Sequence, residues 1–124
     1  MSGSSNYLLD TNIVLYLLDG DALLAEIING IVPYVSFITE MELLSYKKIS
    51  HSNEKVVKDF LQECRIIEMN PSIKTAAINI RKMHGLKLPD SIIASTREYL
   101  NIPMLTADVE FNKLKSLNIL QYKK

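Results

Sequence analysis

The sequence predicts an α/β fold built on a mostly parallel sheet. Short apolar, β-rich runs alternate along the chain with stretches whose apolar positions recur at helical spacing. That alternation is the pattern of strands joined by covering helices. The chain has 124 residues, 48% hydrophobic and 23% charged, which is the size and apolar content of one domain with its own core. Four glycines and four prolines fall at element boundaries, and there is no internal repeat, low-complexity tract or linker. Residues 1–6 are expected to be a flexible or appended terminus, and residues 7–124 a single domain.

Tyr7-Leu8-Leu9 reads as a short buried strand. Asp10 or Asn12 then caps a helix from Ile13 to Leu18. Ala22 to Ile28 is a second helix, ended near Gly30. Val32 to Ser36 is β-rich, with Pro33 tolerated near a strand start. Thr39 to Tyr46 reads as a helix, and another begins at Ser52 or Asn53 and runs to Leu61. Arg65-Ile66-Ile67 is strand-like. Ser72 to His84 is the clearest helix, with Ile73, Ala76, Ala77, Ile80 and Met83 assigned to one face and Gly85 closing it. Pro89 opens a helix to Leu100 that buries Ile92, Ile93, Thr96 and Leu100. Pro103 to Thr106 is a strand, Phe111 to Leu117 is helical, and Ile119 to Tyr122 is a last strand.

Composition removes several function classes. Cys64 is the only cysteine, so no disulfide framework exists, and with two histidines a Cys/His zinc site is excluded. Cys64 is read as core, and His51 and His84 as structural or incidental. No run approaches the ~20 apolar residues of a membrane helix, and the early run Ile13 to Leu18 lacks the flanks of a signal peptide; a cytoplasmic location is expected. Lys plus Arg and Asp plus Glu both number 14, so net charge does not advertise a nucleic-acid binder. The distribution is uneven. Residues 1–80 hold six basic and ten acidic residues, and residues 81–124 hold eight basic and four acidic. Solvated helix faces with a lysine tail account for this; a basic rim that meets phosphates is the sharper reading.

Four acids occupy telling positions. Asp10 follows the first strand and Asp108 follows Met104 to Ala107, so both emerge at the carboxyl edge of the sheet, where ligands bind in such folds. Asp90 starts a helix, and Glu42 lies on the helix after the Val32–Ser36 strand. Converging carboxylates raise each other's pKa unless a cation sits among them. Oxygen donors without histidine or thiol suit Mg²⁺ or Mn²⁺. Each acid taken alone has a structural reading: Asp10, Asp90 and Asp108 as caps or turn formers, and Glu42 as a solvated helix residue like Glu40.

These residues fall in four blocks: Tyr7-Leu8-Leu9-Asp10-Thr11-Asn12, Val35 to Leu44 with Glu42 three residues after Thr39, Leu88-Pro89-Asp90-Ser91-Ile92-Ile93-Ala94-Ser95, and Met104-Leu105-Thr106-Ala107-Asp108-Val109-Glu110-Phe111. In that order they resemble a PIN domain, specifically the VapC-type toxins of prokaryotic toxin–antitoxin pairs, over nearly the whole chain. The resemblance implies a three-layer α/β/α fold and a metal-dependent endoribonuclease that cleaves structured RNA such as tRNA or rRNA. It also implies a cognate antitoxin and a homodimer. Carried over, Asp10 and Asp90 become the principal Mg²⁺ ligands, Asp108 and Glu42 complete the catalytic pocket, and Asn12 and Thr106 orient carboxylates by hydrogen bonding. Tyr46, Lys47 and Lys48 either line an RNA path or sit on exposed surface, and Ile13 and Leu17 are either dimer interface or core.

A PIN-like module that binds protein or RNA without turnover is the alternative. A receiver domain expects adjacent acids in the first block, but Leu9 precedes Asp10 and Thr11 follows it. A haloacid-dehalogenase-like enzyme expects a second Asp where Asn12 stands.

Overall fold

The computed structural model describes residues 5–47, 51–116 and 118–124, without the side chains of 51 and 52. The expectations for residues 1–4, Lys48, the His51 side chain and Leu117 fall outside the described residues. Along the chain run β1 (Asn6–Leu9), α1 (Thr11–Leu18), α2 (Ala22–Ile28), β2 (Val32–Ser36), α3 (Phe37–Leu44), α4 (His51–Glu63), β3 (Arg65–Ile67), α5 (Pro71–His84), α6 (Leu88–Leu100), β4 (Met104–Thr106) and β5 (Ile119–Gln121). A 3-10 turn, Val109–Leu114, joins β4 to β5.

Four helices, α1, α2, α3 and α5, start where a side chain replaces a missing backbone acceptor. Asp10 caps α1, so the helix begins at Thr11 rather than Ile13. Asp21 caps α2 through the Leu24 N–H, Ser36 caps α3 through the Ile38 N–H, and Asn70 caps α5 through the Ile73 N–H. The α3 cap moves that helix start from the expected Thr39 to Phe37. Gly85 ends α5 in the left-handed region at φ 69°, a conformation open to glycine without steric cost. The expected helix to Leu117 is instead the short 3-10 turn, confined between the Asp108 cap and Lys115 at φ 50°.

All strands pair in parallel, in the order β3-β2-β1-β4-β5. Asn6 pairs with Val32, so β1 takes in one residue that was expected to belong to a free terminus. The order runs outward from β1 to β3, then restarts on the other side of β1 with β4. The reversal lies between β1 and β4, the position where open α/β sheets bind ligands beyond their strand ends.

Alternation along the strands divides the core. Leu9, Val35 and Leu105 pack with Ile13, Val14, Leu24, Leu43, Val57 and Leu61 under α1–α4. Their neighbours Leu8 and Met104 face the other way, with Ile80, Ile93, Ala94 and Phe111 from α5, α6 and the 3-10 turn and Leu86 from the α5–α6 connection. Both faces of the sheet are covered, which makes a three-layer α/β/α fold. Ile13 is fully buried and Leu17 packs partly buried against the first cluster.

Helix α6 is buried from Ser91 through Thr96. Its polar residues there are satisfied internally: Ser91 donates to the Lys87 carbonyl, and Ser95 and Thr96 donate to the Ile92 carbonyl. Met83 departs from expectation, being 76% exposed. The α5 stripe is Ile73, Ala77 and Ile80, and at ~100° per residue Met83 lies about 80° off it.

Candidate active site

Asp10 leaves β1 at its carboxyl end, between the two strands that flank the reversal. Its backbone N–H donates to the Leu105 carbonyl at 3.0 Å, which ties it to β4. The residue is 5% exposed. One carboxylate oxygen accepts from the Thr11 N–H at 2.8 Å, and the other accepts from the buried Thr106 hydroxyl at 2.6 Å. Thr106 Oγ1 in turn accepts from the Asp108 N–H at 3.0 Å. Thr106 therefore orients Asp10 and shapes the turn that presents Asp108.

Asp108 caps the 3-10 turn through the Glu110 N–H at 2.9 Å. Its structural reading as a cap thus holds alongside its place in the site, as it does for Asp10. Asp90 differs, because Lys87 is the N-cap of α6 and offers no side-chain bond, leaving Asp90 as the third helical residue. A carboxylate in a first turn is favoured by the helix dipole. Glu42, on the exposed side of α3, accepts from the Thr11 hydroxyl at 2.7 Å.

Asp10, Glu42, Asp90 and Asp108 line one pocket of about 300 Å³ together with Thr11, Asn12, Leu15, Leu43 and Tyr46. Asn12 does not orient a carboxylate through its described bond. It accepts from the Ala107 N–H at 3.3 Å and so pins the loop after β4. Tyr46 also lines an adjoining open groove with Glu42, Ser45 and Lys47. Thr11 and Thr39, whose hydroxyls stand 3.0 Å apart, escaped the sequence reading. The available signal was Thr39 itself, a polar residue four positions before Leu43 on the buried stripe of α3.

The charges in the pocket oppose one another. Burial pushes Asp10 up to about 6, against the pull of the Thr106 and Thr11 bonds, with the Asp90 and Asp108 charges adding to the rise. Asp90 is also raised, by burial first and then by Asp108 and Glu42, while Lys87 works the other way. The described lining holds four carboxylates and no basic side chain. This donor set fits a hard divalent cation, which takes one or two carboxylates and keeps several waters. Among the described residues no three acidic, histidine or cysteine groups stand close enough to share one ion.

The other candidate groups lie elsewhere. His84 sits in the last turn of α5 with Arg81 and Lys82. Cys64 packs partly buried against the α1–α4 core, where burial pushes its thiol up to about 12. No described helix is long and apolar enough to cross a membrane.

Comparison with known proteins agrees with this geometry. The sequence profile of the PIN domain matches residues 7–117. No curated protein sequence matches the chain. Among solved structures, a toxin–antitoxin complex from Klebsiella pneumoniae is similar at TM-score 0.83 and 24% identity, over 95% of this chain and 99% of that one. VapBC-1 from nontypeable Haemophilus influenzae is similar at TM-score 0.77 and 25% identity, over 94% and 97%. VapBC2 from Rickettsia felis, bound to a DNA fragment from its promoter, is similar at TM-score 0.77 and 19% identity, over 94% and 97%. Likeness at this identity is likeness of fold, whereas the profile match spans most of the chain and takes in all four acids. On that match, and with its sheet order and acidic pocket already in place, the chain belongs to the PIN domain family.

Proposed function

We propose that this protein is a divalent-metal-dependent endoribonuclease, the toxin of a toxin–antitoxin pair, acting in the cytoplasm on structured RNA such as tRNA or rRNA. The observation that carries the reading is the convergence of Asp10, Glu42, Asp90 and Asp108 on one pocket beside the strand-order reversal. Carboxylates that raise one another's proton affinity are costly to hold together, and a cation among them offsets that cost. Family membership supports phosphodiester chemistry. Similar structures described as toxin–antitoxin complexes support a separate antitoxin chain as partner.

Asp10 and Asp90 would be the principal ligands of Mg²⁺ or Mn²⁺, with Asp108 and Glu42 completing the pocket. Bound there, the ion supplies positive charge that offsets the charge developing on a phosphate oxygen. Thr106 and the Thr11 N–H keep Asp10 in one orientation, so the carboxylate need not reorganise during reaction. A pocket carboxylate accepts a proton from the attacking water. The water oxygen bonds to phosphorus as the bond to the ribose 3′ oxygen breaks, and that oxygen takes a proton from solvent water, leaving 5′-phosphate and 3′-hydroxyl ends.

The test is incubation of antitoxin-free protein with total cellular RNA in Mg²⁺, Mn²⁺ or EDTA, beside Asp90→Asn. Metal-dependent fragments that vanish in the variant are expected; 2′,3′-cyclic phosphate ends would overturn the hydrolytic mechanism. The alternative outcome is a PIN-like module that binds protein or RNA without turnover. That module would yield no fragments in any metal.

A further inference from the structure

Thr11 stands between two of the pocket's acids and touches both. Its backbone N–H donates to Asp10 at 2.8 Å and its hydroxyl lies 2.7 Å from Glu42 Oε1. The same hydroxyl lies 3.0 Å from that of Thr39, which is fully buried. A hydroxyl carries one proton, and an ionised carboxylate only accepts. The Thr11 proton therefore goes to Glu42, and the Thr39 proton goes to Thr11.

The direction of this chain is fixed, and it starts on a side chain locked in the core of α3. It ends on a residue of that same helix, after crossing to α1. Glu42 would otherwise be a long, exposed side chain with several free rotamers. Asp10 is held independently of the Thr11 hydroxyl, through the Thr11 N–H and Thr106. The two carboxylates are thus fixed by separable atoms of one residue.

We propose that Thr11 is a positioning residue, whose hydroxyl, backed by Thr39, sets the Glu42 carboxylate at the pocket wall before any cation arrives. This rests on the nuclease reading for its consequence in catalysis, but not for the contact itself. With Oε1 engaged by Thr11, Glu42 keeps Oε2 for the pocket, the arrangement of a group that orients the attacking water. Asp10 and Asp90, raised by burial and by neighbouring carboxylates, are the residues that would hold a cation.

Two measurements test it. The first is a double-mutant cycle of Thr11→Val and Glu42→Ala, read by urea unfolding in EDTA. Coupling of at least about threefold in the unfolding equilibrium constant is expected for a hydrogen bond to a carboxylate; strictly additive effects overturn the contact. The second compares Thr11→Val with Thr11→Ser on the RNA fragmented by wild type. Thr11→Val should lose at least about tenfold in kcat with KM and direct Mn²⁺ affinity within about threefold of wild type, and Thr11→Ser should restore most of the rate. A fully active Thr11→Val, a Thr11→Ser equally impaired, or Mn²⁺ affinity falling in step with kcat overturns the positioning role. Wild type that cleaves nothing while the cycle still shows coupling would remove the nuclease reading and leave the Thr11–Glu42 contact standing.

Discussion

Replacing Asp10 by Asn should stabilise the metal-free protein at neutral pH and not at acid pH. In the folded chain Asp10 is buried at the β1–β4 reversal, and its pKa rises from 3.8 to about 6. A raised carboxyl binds its proton more tightly folded than unfolded. Its contribution is therefore fully present below about pH 4 and is lost as pH rises through about 6. A shift of about two units corresponds to about 3 kcal/mol. Asparagine never ionises and escapes this loss. It has one oxygen where the carboxylate accepts from both the Thr11 N–H and the Thr106 hydroxyl, so about 1 kcal/mol of the gain is returned. Urea unfolding of both proteins in EDTA, extrapolated to water, should find Asp10→Asn more stable by about 2 kcal/mol near pH 7.5 and no more stable than wild type near pH 4. The difference between the proteins cancels the titration of groups not coupled to Asp10, among them the lowered Asp21 and Glu110. A difference that does not change with pH would refute the argument that burial keeps Asp10 reluctant to ionise.

The same site should respond to metal. Mg²⁺ at about 100 times its dissociation constant should raise wild-type unfolding free energy by about 2.7 kcal/mol and leave Asp10→Asn near its EDTA value, measured by the same urea curves. Thr106→Val removes a buried donor to Asp10 and the acceptor of the Asp108 N–H; a loss of about 1–3 kcal/mol in EDTA is expected, and an unchanged unfolding midpoint would count against the network. Phe111→Ala empties a fully buried ring site in the α5–α6 core and should cost about 3–5 kcal/mol, visible as a fall in Tm. The Tyr122 hydroxyl donates to the Asp21 carboxylate at 2.8 Å, a bond that helps hold Asp21 below the usual carboxylate range. Tyr122→Phe should let the Asp21 pKa rise in an NMR titration, and an unmoved titration would show that the α2 cap bond alone sets it.

Local signals in the sequence were enough for the α/β class and for the candidate acids, and the family resemblance added the three layers. Apolar runs at the strands, the cap at Asp10, and the stripe holding Ile73, Ala77 and Ile80 are one-dimensional patterns, because strand and helix periods are properties of the local backbone; the caps at Asp21 and Ser36 were not read from the sequence. An acid directly after a strand is equally local, which is why Asp10 and Asp108 could be placed at the sheet edge in advance. The strand order could not be read this way. That β1 lies between β2 and β4 follows from which apolar faces bury one another, a matter of contacts far apart in the chain, and it is this order that draws the Asp10 carboxylate to Thr106, 96 residues away. Asn12 shows the same limit. The family resemblance implied a carboxylate partner for it, yet packing of α1 against the end of β4 turns it to the Ala107 N–H instead. Thr11 and Thr39 are ordinary helix residues in sequence, and only the approach of α1 to α3 converts them into a support for Glu42. Sequence alone determined which groups are the candidates for chemistry and the elements that bear them; the tertiary structure decided which hydroxyl holds which carboxylate, because a hydrogen bond depends on distances that only the packed core defines.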